Sequence, residues 1–183
     1  PDLIQADNSM GPFIYCPRCG SASLLPSSVK QFTCSDCEFT FFMNTASSAA
    51  ALILTPDQRL LATRRKYDPA KGTLDLPGGF ADPHETIEAC IKREVKEELN
   101  LNIRALEYGG SLPNTYYYKD VLYHTIDMIF RCRVDDFSCI QARDDISSYE
   151  FIPVEQLDPE AFGLDSIRRV IRKFADQFGH GSR

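Results

Sequence analysis

At 183 residues the chain is long enough for one ordinary domain plus a small appendage and short for two full-sized domains. Its 43% hydrophobic and 25% charged residues match average globular usage, which excludes disorder, collagen-like repeats and low-complexity architecture. With 20 basic against 26 acidic residues the net charge is −6, so broad binding to a nucleic-acid backbone is disfavoured. A protein of this sign handles phosphates by neutralising them locally, with a divalent cation or a few placed Arg and Lys side chains. No window approaches the roughly 18 consecutive apolar residues of a membrane span. The N-terminal PDLIQADNSMGPF has neither a basic nor an apolar export region. No membrane association and a cytoplasmic location are therefore expected.

Residues 1–12 read as a loose leader. Four of the seven cysteines follow, as CPRCG (Cys16, Cys19) and, with fourteen residues between Cys19 and Cys34, CSDC (Cys34, Cys37). Two Cys-x-x-Cys knuckles across a hairpin-sized insert offer four thiolates to one tetrahedral zinc, and Gly20 suits the tight turn of the first knuckle. The alternative, two disulfides or idle thiols, fits poorly with a chain lacking an export signal. An all-thiolate site has no open coordination position, so this zinc is expected to be structural and to stabilise a segment too small to own a core. Residues 1–45 are assigned to the leader and ribbon, with Phe32, Phe39, Phe41 and Phe42 available for packing, and 46–183 to one further domain. Cys90, Cys132 and Cys139 read as buried small hydrophobes.

In the second domain, strand-like runs occur at 49–55, 60–64, 74–76, 101–108, 121–134 and 149–153, with helical patterns at about 83–99 and 165–178. A mixed α/β fold follows. Phe162, Ile167, Val170, Ile171 and Phe174 recur at helical spacing and predict a packed C-terminal helix. His84, His124 and His180 are isolated and assemble no metal triad.

The segment LPGGFADPHETIEACIKREVKEELNL, from Leu76 to Leu101, carries the most chemistry. Asp82 as N-cap, Pro83 at the first position and Glu85 at the third predict a helix start there. Ile87, Ile91, Val95 and Leu99 form one apolar stripe at 100° per residue, with Glu85, Lys92 and Lys96 opposite. Glu94 and Glu98 fall in the sector of Ile87 and Ile91, with Glu97 about 60° to the side of Glu94. Three acids at this spacing usually make a solvated face. Here two of them point inward, where ionised carboxylates are unfavourable unless a hard cation sits among them. Oxygen ligands of this kind suit magnesium or manganese, with substrate phosphates completing the shell.

The same stretch resembles the signature box of the Nudix family: Gly79, Glu85, Arg93, Glu94, Val95, Glu97, Glu98 and Leu101 stand in register, and Asn100 replaces the family's glycine at the helix end. Asn is among the least strained residues in the left-handed conformation required there. LLATRRKYDPAKGTLDLPGGF upstream and DDISSYEFIPVEQL downstream extend the resemblance over most of 47–178. With the ribbon, the arrangement resembles the NADH pyrophosphatase branch and its relatives. Gly110 to Tyr116 stands where that branch carries Ser-Gln-Pro-Trp-Pro-Phe-Pro, and the chain contains no tryptophan.

The resemblance implies a Nudix α/β/α sandwich with a mixed sheet behind the zinc ribbon. It implies magnesium-dependent hydrolysis of a diphosphate bond in a nucleoside diphosphate linked to another moiety, on a small nucleotide of NADH or ADP-ribose type. Glu94 and Glu98 would be the principal ligands, Glu97 would hold a further ion directly or through water, the Gly78 carbonyl would complete the site, and Arg93 with Glu85 would orient it. Glu97, Asp144 and Asp145 are candidates for the base. Arg64, Arg65 and Lys66 could meet phosphates and Tyr116, Tyr117 and Tyr118 a base, although a solvated basic turn and a packed hairpin account for them better. Ribbon-bearing relatives pair, so a homodimer is compatible with the resemblance. The competing readings are a nucleoside triphosphate pyrophosphohydrolase and a ribbon-led binding module with an inactive hydrolase domain.

Overall fold

A computed structural model of the chain describes residues 13–28, 30–119 and 121–179; the leader at 1–12 and His180 lie outside them. Two compact units emerge, one drawn from Pro1–Ala46 and Thr115–His124, the other from Ser47–Asn114 and Thr125–Arg183. The expected division at residue 45 put 115–124 in the second domain; in the fold this stretch groups with the first unit.

The first unit holds an antiparallel sheet of β1 (Leu24–Ser28), β2 (Gln31–Cys34) and β3 (Thr40–Phe42). Leu24, Phe32, Cys16 and Cys34 are its buried core, with Phe13 and Phe41 packed against Phe32 at ring distances of 5.5 and 6.3 Å. The two knuckles share one backbone device. Gly20 donates its N–H to Cys16 O, and Glu38, at the same place after the second knuckle, donates to Cys34 O. Both residues have positive φ, 75° and 59°. Only the first knuckle uses the residue that takes this conformation without strain, so only it announces the turn in the sequence.

The remaining elements are β4 (Ala46–Ile53), β5 (Arg59–Arg65), β6 (Leu74–Asp75), β7 (Gly78–Phe80), α1 (Ile87–Leu99), β8 (Ala105–Tyr118), β9 (Val121–Arg133), β10 (Ile146–Pro153) and α2 (Asp165–Gly179), all in the second unit except Ala46 and the 115–124 parts of β8 and β9. They form two sheets of order β10-β5-β6 and β7-β4-β9-β8. β4 alternates between two cores: Ala49, Ala51 and Ile53 join Ile91, Val95 and Leu99 of α1, whereas Ala50 and Leu52 join Ile167, Val170, Ile171 and Phe174 of α2. One helix therefore covers each face of the sheet layer, which is the expected α/β/α arrangement. Among the described residues no helix is long and apolar enough to cross a membrane.

Three sequence expectations need correction. The first helix starts at Thr86, not Asp82: the Thr86 side chain accepts from Ala89 N, and His84 at φ 67° turns the chain out of a helical path. The reach-back expected of Glu85 is nonetheless present, since Asp82 N–H donates to Glu85 Oε2 at 3.0 Å, in a turn that precedes the helix. The strand expected at 101–108 begins at Ala105 and continues through the tyrosine run to Tyr118, while Leu101 is buried beside the helix end. Cys139 is exposed; Cys90 and Cys132 are buried as expected, and burial pushes both thiols up to about 12.

Candidate active site and zinc centre

The entry to α1 is built by the pair Gly78–Gly79 on β7, a short strand that the sequence reading missed. Gly78 pairs with Ala50 of β4 at φ +148°, and a Cβ there would lie 2.0 Å from Ala49 O. Gly79 is crowded differently: its Cβ would lie 2.5 Å from Cδ of Glu94. The first obstacle is rigid backbone and the second a side chain that can swing. Gly78→Ala is thus expected to lower thermal stability severely. Gly79→Ala should keep the melting temperature within a few degrees while displacing Glu94, measured as at least a tenfold loss of divalent-metal affinity.

At the other end of α1, Asn100 adopts φ 56°, ψ 27°, and its N–H donates to Lys96 O. Its side-chain amide donates to Cys139 O at 3.1 Å. The glycine of the family pattern is replaced here by a residue that takes the same conformation and adds a tie to the 135–145 loop.

The three acids of the helix diverge. Glu98 is only 6% exposed and accepts from the Gly78 backbone N–H at 3.0 Å; among the described residues no cationic side chain pairs with it. Burial pushes its carboxyl well above the ordinary value, and Glu94, Asp75 and Asp145 add to the rise. Glu94 is raised by burial too, against the pull of Arg93 NH1 at 2.7 Å. Glu97 leans outward, with its side chain 49% exposed and bonded to Arg93 NH1 at 3.1 Å. The helical wheel explains the split, because position 98 lies about 40° from position 94 and position 97 about 60° to the other side.

Arg93 is the hub. Its Nε and NH2 grip Glu85 at 2.9 and 2.8 Å, and its NH2 also reaches Phe80 O at 3.1 Å. This paired hydrogen bond holds the Glu85 carboxyl down at about 2. Arg64 and Arg65 are committed to the scaffold: Arg64 donates to Gly72 O and Glu150, and Arg65 to Pro69 O and to the buried Asp75. Tyr116 belongs to the first unit, beside Tyr118 at a ring distance of 6.3 Å. Asp75 was not singled out from the sequence, though an acid between Leu74 and Leu76 just before Pro-Gly-Gly is a signal that could have found it. Of the two late acids, Asp145 is the one whose charge acts on both Glu94 and Glu98.

The donor set fits a divalent cation at Glu94 and Glu98. A carboxylate this buried, with one amide donor and no counter-charge, is costly when ionised and is relieved by a hard cation. Raised carboxyl values have a defined consequence for stability. Between the ordinary Glu value near 4.5 and the raised folded values, the folded chain holds more protons than the unfolded one, so metal-free stability falls as pH rises through that window. Glu85 acts oppositely and lower down, its contribution being lost as pH falls from 4.5 toward 2. Thermal melts with and without manganese should therefore show a larger metal-induced rise at pH 8 than at pH 5.

The cysteines behave as one centre. Their four Sγ atoms lie within 4.8 Å of one another, with Cys16–Cys37 and Cys19–Cys34 each at 3.7 Å. That spacing is far beyond the ~2.05 Å of a disulfide. It matches the edge of a tetrahedron with ~2.3 Å zinc–sulfur bonds, about 3.8 Å.

Residues 44–174 match the NUDIX domain family. The NAD-capped RNA hydrolase NudC of Pseudomonas fluorescens Pf-5 is 26% identical over 164 residues, covering 90% of this chain and 55% of that one. The ADP-ribose pyrophosphatase of Methanocaldococcus jannaschii is 33% identical over 117 residues, covering 63% and 66%. This chain thus spans about half to two thirds of the length of these relatives. A NUDIX hydrolase structure from Nitrosomonas europaea superposes with a TM-score of 0.69 at 18% identity, covering 91% and 93%. The double-glycine entry and the helix with carboxylates on its buried flank lie inside the matched region, and the chain belongs to the Nudix family.

Proposed function

We propose that this chain hydrolyses a diphosphate linkage in a nucleoside diphosphate joined to a further group, of the ADP-ribose or NADH type, with magnesium or manganese held by Glu94 and Glu98. The observation that carries this reading is the buried Glu98 carboxylate, facing the Gly78–Gly79 entry without a cationic partner among the described residues. Glu97, turned outward, would reach a further ion directly or through water, and the Gly78 carbonyl would complete the set. When bound, such ions offset the diphosphate charge and lower the pKa of a coordinated water.

The chain's own residues supply placement and proton handling. Arg93 ties Glu85, Glu94 and Glu97 into one frame, so the carboxylates need little reorganisation when substrate arrives. Asp145, whose carboxyl is raised by burial and then by Asp144, is the proposed acceptor of the water's proton, because a more basic carboxylate takes up a proton more readily. The chain departs at Gly110–Tyr116 from the NADH pyrophosphatase pattern, which places ADP-ribose ahead of NADH among the expected substrates.

A panel of ADP-ribose, NADH, nucleotide sugars and nucleoside triphosphates, incubated with magnesium and followed as phosphatase-sensitive phosphate, tests this. Turnover of ADP-ribose to AMP and ribose 5-phosphate is the expected result. Turnover confined to triphosphates would move the chain to house-cleaning pyrophosphohydrolysis. No turnover at all, together with tight binding of RNA or a protein, would favour a ribbon-led binding module.

A further inference from the structure

The loop that carries Asp145 is fixed from two sides, and one of them is the helix that carries Glu94 and Glu98. α1 ends, as helices do, with carbonyls that have no partner inside the helix. The Arg143 N–H donates to Glu98 O at 2.8 Å and the Gln141 N–H to Leu99 O at 3.0 Å, while the Asn100 side-chain amide donates to Cys139 O. Glu98 therefore offers its carboxylate to the Gly78 N–H and its main-chain oxygen to the loop. The residue proposed to hold the cation also limits where Asp145, two residues beyond Arg143, can stand.

The two halves of the loop are held differently. Phe137, Ile140 and Ala142 pack against the α1 core and secure the first half. Arg143, Asp144 and Asp145 are all exposed, and the next buried apolar side chain is Ile146. Asp144 stands at φ 53°, a left-handed conformation that a residue with a side chain keeps only where its surroundings impose it.

Lys66, directly after β5, imposes it. Its backbone N–H donates to Asp145 O at 2.9 Å, and its Nζ donates to Asp144 O at 3.0 Å. Main chain and side chain of one residue thus hold two consecutive carbonyls of the acidic corner. The Tyr67 ring, centred 5.2 Å from the same ammonium, adds a cation–π contact that favours this rotamer over a swing into solvent. The charges agree with the geometry: burial and then Asp144 raise the Asp145 carboxyl, and Arg65 and Lys66 draw it back toward the ionised form that can take a proton.

We propose that Lys66 is a positioning residue for the hydrolysis, holding the 144–145 corner so that the Asp145 carboxylate stays at one place relative to Glu94 and Glu98. This role rests on the assignment of Asp145 as proton acceptor. A base must remain within hydrogen-bond reach of the water it deprotonates, so a corner free to swing lowers turnover and leaves substrate affinity alone.

The test compares Lys66→Met, which keeps the length of the side chain and removes its donor and charge, with Lys66→Arg, which keeps both. Lys66→Met is expected to lower kcat about tenfold with KM within about twofold, and Lys66→Arg to retain most of the turnover. Manganese affinity, titrated without substrate, should match that of the unsubstituted chain. In the Asp145→Asn background Lys66→Met should cost nothing further, because residues that act as one unit are not additive. Hydrogen exchange in Lys66→Met, which needs no turnover, should quicken at 143–146 and stay unchanged at 139–141. A raised KM with kcat kept would make Lys66 a phosphate contact and overturn the proposal. So would unchanged exchange at 143–146, or a loss that adds to that of Asp145→Asn. A costly Asp145→Asn beside a neutral Lys66→Met overturns the positioning role alone; a neutral Asp145→Asn removes the proton-acceptor assignment and this role with it.

Discussion

Replacing Glu98 by Gln is expected to lower kcat/KM on the productive substrate about 10³-fold in magnesium, while metal-free stability at pH 8 stays the same or rises. The two effects share one cause. Glu98 is buried, its carboxyl is pushed well up by desolvation, and its hydrogen-bond partner is the Gly78 N–H. Gln keeps an acceptor for that N–H and nearly the same volume, but it removes a charge that the folded protein holds at a cost when no cation is present. With magnesium the balance reverses, because a metal site that loses a carboxylate loses several kcal/mol of charge stabilisation. Glu97→Gln should cost only about tenfold, since Glu97 is half exposed and would act through water or the Arg93 frame. Thermal melts and steady-state kinetics on the same preparations distinguish the roles. A large stability loss with activity kept would make Glu98 a structural residue and sink the catalytic assignment.

Much of this site was legible because its parts are local. The signature from Gly79 to Leu101 lies within one turn-and-helix segment, so a helical wheel alone separates Glu94 and Glu98 from Glu97, and left-handed Asn100 follows from its place at the helix end. What was not legible depends on contacts distant in sequence. Gly78 and Gly79 form a strand only because β4 runs beside them, with Ala50 opposite Gly78. Asp75 is buried beside Arg65, ten residues earlier; its place between Leu74 and Leu76 marks it as an unusual acid, but its effect on Glu98 comes from a contact distant in sequence. The helix start failed for a local reason of the wrong kind: Asp82, Pro83 and Glu85 are good capping chemistry, but His84 takes a positive φ and the true cap is Thr86. Arg64 and Arg65 show what a basic turn leaves open. The sequence is compatible with a phosphate contact and with a plain turn, and in the fold both guanidinium groups donate to scaffold carbonyls and acids.

Cys34→Ser, or removal of zinc by a strong chelator, is expected to unfold the first unit and leave the second folded. The first unit has a core of four buried residues, two of them zinc-ligand candidates, so little apolar burial remains once the metal is lost. Structural zinc supplies an apparent ~10–16 kcal/mol in small domains of this kind, which exceeds what such a core provides. The second unit has its own two cores, on either side of β4, and needs no thiolate. Hydrogen exchange read peptide by peptide gives the sharpest check. Protection should vanish across β1, β2 and β3 and, because 115–124 groups with them, also at the tip of the β8–β9 hairpin, while amides of α1 keep theirs. Persistence of protection in β2 after zinc loss would mean that Phe13, Phe32 and Phe41 hold the ribbon by themselves. Loss of protection in α1 would mean that the two units fold as one.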